Sequence, residues 1–246
     1  GHSHILASTV PNLRSYDPAF GFEIAALVRE GMHQMYELQE DVFYYLTLYN
    51  ENYPMPSLAE IAEQTEVDEG EVLQGVIDGG YCFYRGSDRT ECSVHILASG
   101  SIMQQALLAR DALEDLGVGV CIWSITSFVE LQRDALACQQ HNRDNPQAEA
   151  RVSRLERMFQ GETGVFIAVT DYMAALAQGV AAWMPPNFEV LGTDGYGLSE
   201  SRTRLREHFS VDAMAVAEGA LSALYRHGLL DQSRFESAMH GVRGSK

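Results

Sequence analysis

Lysine is almost missing from this sequence: among 17 Lys and Arg residues only Lys246, the last, is a lysine. A Schiff-base lysine for pyridoxal phosphate, or the lysine of a phosphate-binding loop ahead of Ser or Thr, therefore cannot sit in the body of the chain. Positive charge in general is short, since 34 Asp and Glu leave a net charge of −17. A groove tracking nucleic-acid phosphates would have to form against the protein's own field, which argues against DNA or RNA as a partner. Cysteine is sparse too. Cys82, Cys92, Cys121 and Cys138 form no C-x-x-C pair and have no His at zinc-finger spacing, so reduced, mostly buried thiols are expected. The longest apolar stretches, Gly117 to Val129 and Ala174 to Pro186, are interrupted by Ser, Thr or Gln and fall short of the ~20 residues a membrane helix needs. The opening Gly1-His2-Ser3-His4 is polar and carries no secretory pattern, so the expectation is a soluble, cytoplasmic protein without a membrane contact.

What is present is a globular composition: 246 residues, 46% apolar, enough for one large or two ordinary domains. Asp17 and Pro18 suit a helix start, and Phe22, Ile24, Leu27, Val28, Met32 and Met35 then recur at helical spacing. The aromatic and β-branched run from Asp41 to Tyr49 reads as a buried strand, closed by the turn Asn50-Glu51-Asn52-Tyr53-Pro54-Met55-Pro56. Ser57 to Gly80 has the outline of a helix-turn-helix, but its seven acidic residues face no Lys or Arg. It is expected to be a solvated helical linker rather than a DNA reader.

A strand from Tyr81 to Arg85 leads through a turn at Gly86 to Asp88, and a regular alternation follows. Strands at Ser93 to Ala98, Gly119 to Ile125, Val165 to Val169 and Phe188 to Gly192 are separated by helical stretches such as Ile102 to Leu116 and Asp171 to Trp183. Short apolar strands alternating with helices predict an α/β fold with a mainly parallel sheet covered by helices on both faces. The divisions expected are 1–56, an acidic 57–90 with helix and strand, and a self-contained 91–246. One helix and one strand cannot bury both faces of a parallel layer, so the first unit is expected to need partners from outside this sequence, leaving an apolar flank around Phe43 and Leu46.

Sites in parallel sheets collect where strands end and helices begin. Three such junctions stand out: Ser99-Gly100-Ser101, Thr170-Asp171-Tyr172, and the glycine-rich loop from Gly192 through Thr193, Asp194, Ser199 and Ser201 to Arg202. Their polar residues suit helix caps or an anion site, and the third loop fits no dinucleotide fingerprint. His2 and His4, two apart, share one side of an extended segment and suit a metal or a substrate oxygen, or else simply a frayed end. His33, His95, His208 and His227 suit structural roles. Neither a G-x-S-x-G elbow nor the Gly-Asp-Gly signature that holds magnesium and diphosphate in thiamine-diphosphate enzymes occurs.

The segments Gly1-His2-Ser3-His4, Ser15-Tyr16-Asp17-Pro18-Ala19, Asn50 to Pro56, Ser99-Gly100-Ser101-Ile102, Ser124 to Leu131, Val169-Thr170-Asp171-Tyr172-Met173, Val190 to Arg202 and Phe209 to Ala213 follow one another across almost the whole chain. In that order they resemble the carboxyl-terminal part of the homodimeric bacterial pyruvate dehydrogenases, the decarboxylating first components of 2-oxoacid dehydrogenase complexes, in the transketolase superfamily. The resemblance implies that 1–56 is the second half of a pyrimidine-binding domain and 91–246 a transketolase carboxyl-terminal domain packing in a homodimer. It implies thiamine diphosphate and magnesium as cofactors, held mostly by groups outside this sequence, and a lipoyl-bearing acyltransferase as partner. By the same correspondence His4, and less directly His2, face substrate oxygens, while the chain alone is expected to be inactive. Where the family has Gly-Phe-Gly-Arg-Ser, this chain has Gly195-Tyr196-Gly197-Leu198-Ser199, and Gln139 to Arg157 also departs from the family pattern. These departures leave open another short 2-oxoacid such as 2-oxobutyrate. A module for dimerisation and regulation, binding an anionic effector through Ser101, Thr170 and Ser199, is the alternative reading.

Overall fold

The computed structural model describes residues 1–86 and 92–244. The turn expected at Gly86 to Asp88, the boundary at Glu91 and Lys246 fall wholly or partly outside those residues. The first unit runs α1 (Ser3–Ser8), β1 (Leu13–Tyr16), α2 (Gly21–Met32, continued by a wider turn over His33–Glu37) and β2 (Phe43–Leu46). Next come α3 (Leu58–Thr65), α4 (Glu69–Asp78) and β3 (Tyr81–Arg85). The remainder is β4 (Cys92–Ala98), α5 (Met103–Glu114), β5 (Gly119–Ser124), α6 (Phe128–Asp144), α7 (Arg154–Met158), β6 (Val165–Val169), α8 (Ala174–Gln178), β7 (Phe188–Leu191), α9 (Arg202–His208), α10 (Ala213–Arg226) and α11 (Gln232–Gly244).

Two sheets result. β1 and β2 form a parallel pair, and the larger sheet has the order β3-β5-β4-β6-β7, parallel except for β3, which runs antiparallel to β5. Period-two alternation sends Val94, Ile96, Val120, Ile122, Val165 and Ile167 into one core with α5 and α10. Leu97, Trp123, Phe166 and Ala168 enter a second core on the opposite face with Phe128, Leu131 and Leu176. Burial on both faces is what makes these strands read as near-continuous apolar runs.

The structure trims several expectations. The strand sought over Asp41 to Tyr49 is only Phe43–Leu46, because Thr47 and Tyr49 turn away into a polar cluster. The helix expected from Asp171 to Trp183 breaks into α8 and a single tight turn at Ala181–Trp183. The segment 57–80 is not a solvated linker. Its acidic outer faces are wet, but Ile61, Val72 and Val76 are buried in the first core beside Phe20 and Leu27. Its local signals are strong: Ser57 and Glu60 form a capping box on α3, Asp68 caps α4, and α4 stops at Gly79 with φ +107°. A Cβ at Gly79 would lie 2.8 Å from the Ser127 carbonyl oxygen, so the stop also brings two loops together.

Glu23 of α2 is fully buried between the units and satisfied on both oxygens. Tyr81 and Ser124 each donate to Oε1 at 2.7 Å, and the Ala19 and Phe20 amides donate to Oε2 at 2.5 and 3.1 Å. Burial lifts its pKa above the ordinary carboxyl range against these four bonds. Phe43, Met32, Tyr36, Leu38 and Leu48 are exposed, whereas Leu46, expected on an apolar flank with Phe43, packs against the first core.

Cys82 and Cys138 are free, whereas Cys121 is disulfide-bonded, which corrects the expectation of four reduced thiols. A disulfide joins residues that the fold brings together, and spacing along the chain does not register that. Among the described residues no helix is long and apolar enough to cross a membrane.

Candidate functional site

The carboxyl ends of both sheets converge. Asp17 follows β1, Thr47 and Tyr49 follow β2, Ser99 follows β4, and Tyr172 lies just beyond β6. All meet at the Asp17 carboxylate. Thr47 Oγ1 and Tyr49 Oη donate to Oδ1 at 2.5 Å each, Tyr172 Oη reaches the same oxygen at 3.5 Å, and Ser99 Oγ donates to Oδ2 at 2.6 Å. The backbone reinforces the junction, with Asp17 N donating to Thr126 O at 2.7 Å and Gly100 N to Asp17 O at 3.0 Å. Gly100 has φ +50°, and a Cβ there would lie 2.6 Å from the Tyr49 ring and 2.8 Å from Asp17 Oδ1, so only glycine permits this approach.

His4 is 2% exposed and sits at the edge of this cluster. Its Nε2 is 3.1 Å from Thr47 Oγ1, and its ring packs edge-on against Tyr172 at 4.6 Å. Since the Thr47 hydroxyl proton is committed to Asp17 by the 2.5 Å bond, Thr47 accepts from His4. The ring is therefore the Nε2–H tautomer, leaving Nδ1 as acceptor. Burial pushes the imidazole pKa down to about 4, so the ring is neutral near pH 7. Burial, with the neighbouring Asp17, raises the Tyr49 and Tyr172 phenols, and burial raises Asp17 itself against its hydroxyl bonds.

A second polar chain lies alongside. Arg206 of α9 grips Glu51 with both terminal nitrogens, at 3.0 and 2.8 Å, and donates to Ser101 Oγ at 3.2 Å. Ser101 in turn donates to Asp171 Oδ2 at 3.2 Å. Hydrogen bonding from Arg206 lowers the Glu51 pKa, whereas burial raises that of Asp171 despite Arg206. Beyond Arg206 and Asp171 a cavity of about 210 Å³ is lined by Gly1, Thr193, Tyr196, Leu198 and Phe209.

Of the residues singled out in the sequence, His4, Ser101, Thr170, Asp171 and Thr193 are brought together. Thr170 Oγ1 accepts from Tyr172 N at 3.2 Å, and Thr193 Oγ1 donates to Asp171 O at 2.6 Å. Asp194 accepts from Ala174 N at 3.1 Å ahead of α8, and Ser201 caps α9 through Arg204 N at 3.4 Å. Arg202 bonds Asn50 and lies 3.9 Å from Glu51, while His2 and Ser199 are exposed outside the cluster. Asp17, Thr47, Tyr49 and Arg206 escape sequence reasoning as site residues, whereas Ser99 and Tyr172 stand in two of the junctions named there without a role of their own. Asp17 precedes Pro18 and reads as a helix start, but the helix begins at Gly21 and Asp17 instead turns inward to collect hydroxyls. A strand ending in an acid followed by proline, ahead of a glutamate that binds the helix start, is the only local signal.

Chemically the cluster offers a neutral imidazole, un-ionised phenols and an arginine already balanced by a glutamate. That set can recognise and orient oxygens or relay a proton. It contains no activated nucleophile, and among the described residues no group of three or more His, Cys, Asp or Glu could hold a metal ion.

Residues 1–56 match the family described as pyruvate dehydrogenase E1 component middle domain, and residues 79–212 match the transketolase-like TK C-terminal domain. The pyruvate dehydrogenase E1 component of Pseudomonas aeruginosa is 42% identical over 230 residues, covering 93% of this chain and 25% of that protein. That of Escherichia coli K12 is 40% identical over 235 residues, covering 94% and 25%. The chain thus spans about a quarter of the length of these relatives. Among solved structures, the transketolase of Campylobacter jejuni shares the fold with a TM-score of 0.56 and 19% identity, over 90% of this chain and 28% of that one. A split-gene transketolase, described as an inactive β4 tetramer, shares it with a TM-score of 0.59 and 16% identity, over 91% and 61%.

Proposed function

The chain belongs to the transketolase-like TK C-terminal domain family, preceded by pyruvate dehydrogenase E1 middle-domain sequence, and from that premise we propose that it is the carboxyl-terminal portion of a thiamine-diphosphate-dependent pyruvate dehydrogenase. In this reading residues 1–56 complete a pyrimidine-binding domain and the segment from about residue 91 forms a transketolase carboxyl-terminal domain. The whole enzyme is a cytoplasmic homodimer that oxidatively decarboxylates pyruvate and passes the acetyl group to lipoyl groups of an acyltransferase.

The observation that carries the reading is the path His4 to Thr47 to Asp17, placed where two parallel sheets end together. A neutral ring whose Nε2–H is held by Thr47 presents Nδ1 as a free acceptor, suited to taking a hydrogen bond from a hydroxyl of the reacting group or to receiving its proton. Thr47 fixes the ring, Asp17 fixes Thr47, and the Tyr172 edge keeps the ring upright. These residues fit the reacting end of a cofactor and not its diphosphate, because Arg206 is already committed to Glu51 and the described residues provide no metal cluster. When bound, thiamine diphosphate supplies the electron sink for loss of carbon dioxide; this chain contributes the wall that orients the 2-oxoacid and excludes water. The Asp171 carboxylate beside Ser101 disfavours an anionic effector at those strand-end loops.

The test is carbon dioxide release from pyruvate with thiamine diphosphate and magnesium. None is expected from the 246-residue chain alone, and turnover is expected once the amino-terminal three quarters of an E1 component is supplied, with His4→Ala lowering it. Turnover by the chain alone would overturn the proposal.

A further inference from the structure

Away from the strand ends, a cleft of about 400 Å³ opens where the first unit meets α6 and α7. Arg14 of β1, Arg133 of α6, and Arg154 and Arg157 of α7 all line it, four of the sixteen arginines in a chain of net charge −17. The acids on the same wall are Asp78, Glu130 and Asp134. Glu130 is shared by Arg14, at 2.5 Å, and Arg133, at 2.8 Å. Arg133 also donates to the carbonyls of Leu13, Ser8 and Val10, which uses up its fork.

Arg154 and Arg157 have no carboxylate partner for their guanidinium groups among the described residues. Arg154 Nη2 donates to Gly80 O at 3.1 Å, and Asp134 accepts from the Arg154 backbone amide, not its side chain. Arg154 Nε is buried with no partner at all. Arg157 donates only to the Val152 carbonyl. A buried guanidinium N–H left unpaired is costly, and two cations held by carbonyls keep their full charge. Such forks match the oxygens of carboxylates and phosphoryl groups, a dianion answers two uncompensated cations, and the volume accommodates a phosphoryl group with a small organic remainder.

We propose that this cleft is a binding site for a small phosphorylated metabolite, whose dianion is held by Arg154 and Arg157 with Arg14 at the rim. The site is separate from the His4 cluster and stands whether or not the reading of that cluster holds. Occupancy would bridge β1 to α7 and so brace the first unit against the larger sheet.

The test is titration of the 246-residue chain with inorganic phosphate and pyrophosphate, followed by calorimetry and arginine side-chain NMR. Saturable one-to-one binding is expected, weakened at least about tenfold by Arg157→Gln, a change on an exposed side chain that leaves the fold intact. Arg204→Gln, on the exposed face of α9, is expected to change nothing. Equal weakening by both substitutions, or no saturation, would overturn the proposal. So would binding to this chain that disappears in a longer protein containing it, because the arginines would then serve an acidic segment of that protein.

Discussion

Ser99 donates a 2.6 Å hydrogen bond to Asp17 Oδ2, tying the end of β4 to the end of β1 across 82 residues of sequence. The other oxygen of the same carboxylate orders Thr47, Tyr49 and Tyr172.

Replacing Asp17 by Asn sets an amide donor against hydroxyls that already donate. Whichever way the amide turns, one side of the cluster loses its acceptor. The expected loss is about 2–4 kcal/mol in urea unfolding, against about 1 kcal/mol for Ser99→Ala, and the two changes should not add. Additive losses would show that Ser99 and Asp17 are not coupled.

Gly100→Ala combines a positive φ with a Cβ 2.6 Å from Tyr49. Tyr49 must leave Asp17, so a loss of about 2–3 kcal/mol is expected, with a changed near-ultraviolet tyrosine signal. A fully stable Ala variant with an unaltered spectrum would contradict the close approach.

His4 sets a pH dependence of definite sign. Its folded pKa, near 4, lies below the unfolded value of 6.5, so between these pH values the unfolded chain binds a proton that the folded chain refuses. Stability is therefore lost as pH falls through that window, by up to about 3 kcal/mol from this group. His4→Gln should flatten the profile there. NMR titration of the His4 ring showing a midpoint near 6.5 in the folded protein would refute the assignment.

Glu23→Gln tests the joint between the units. The Ala19 and Phe20 amides can only donate, so the Gln oxygen must face them and its NH₂ meets the Tyr81 and Ser124 hydroxyls, which then have to turn from donating to accepting. The expected cost is about 2–4 kcal/mol, measured by chemical denaturation. A variant as stable as the parent would mean that the carboxyl is dispensable.

The larger sheet was legible because strands buried on both faces carry short β-branched apolar runs such as Val165 to Val169, repeated between helical stretches. The edges of elements were not, since Thr47 and Asp171 leave regular structure to satisfy partners far along the chain. His4 was legible through family likeness rather than periodicity. Asp17 and Tyr172 lie 155 residues apart, and neither has a sequence pattern beyond its own turn. Arg154 and Arg157 were hidden for a different reason: their significance lies in the carboxylates that do not reach them.

The shared core has a last consequence. Phe20 and Leu27 belong to the same apolar cluster as Ile61, Val76 and Ile96, so the stretches assigned to two different families have no solvent-lubricated seam between them. Heat should dissolve them in one cooperative melt, and a protease should find no hinge at which to part them before that melt begins.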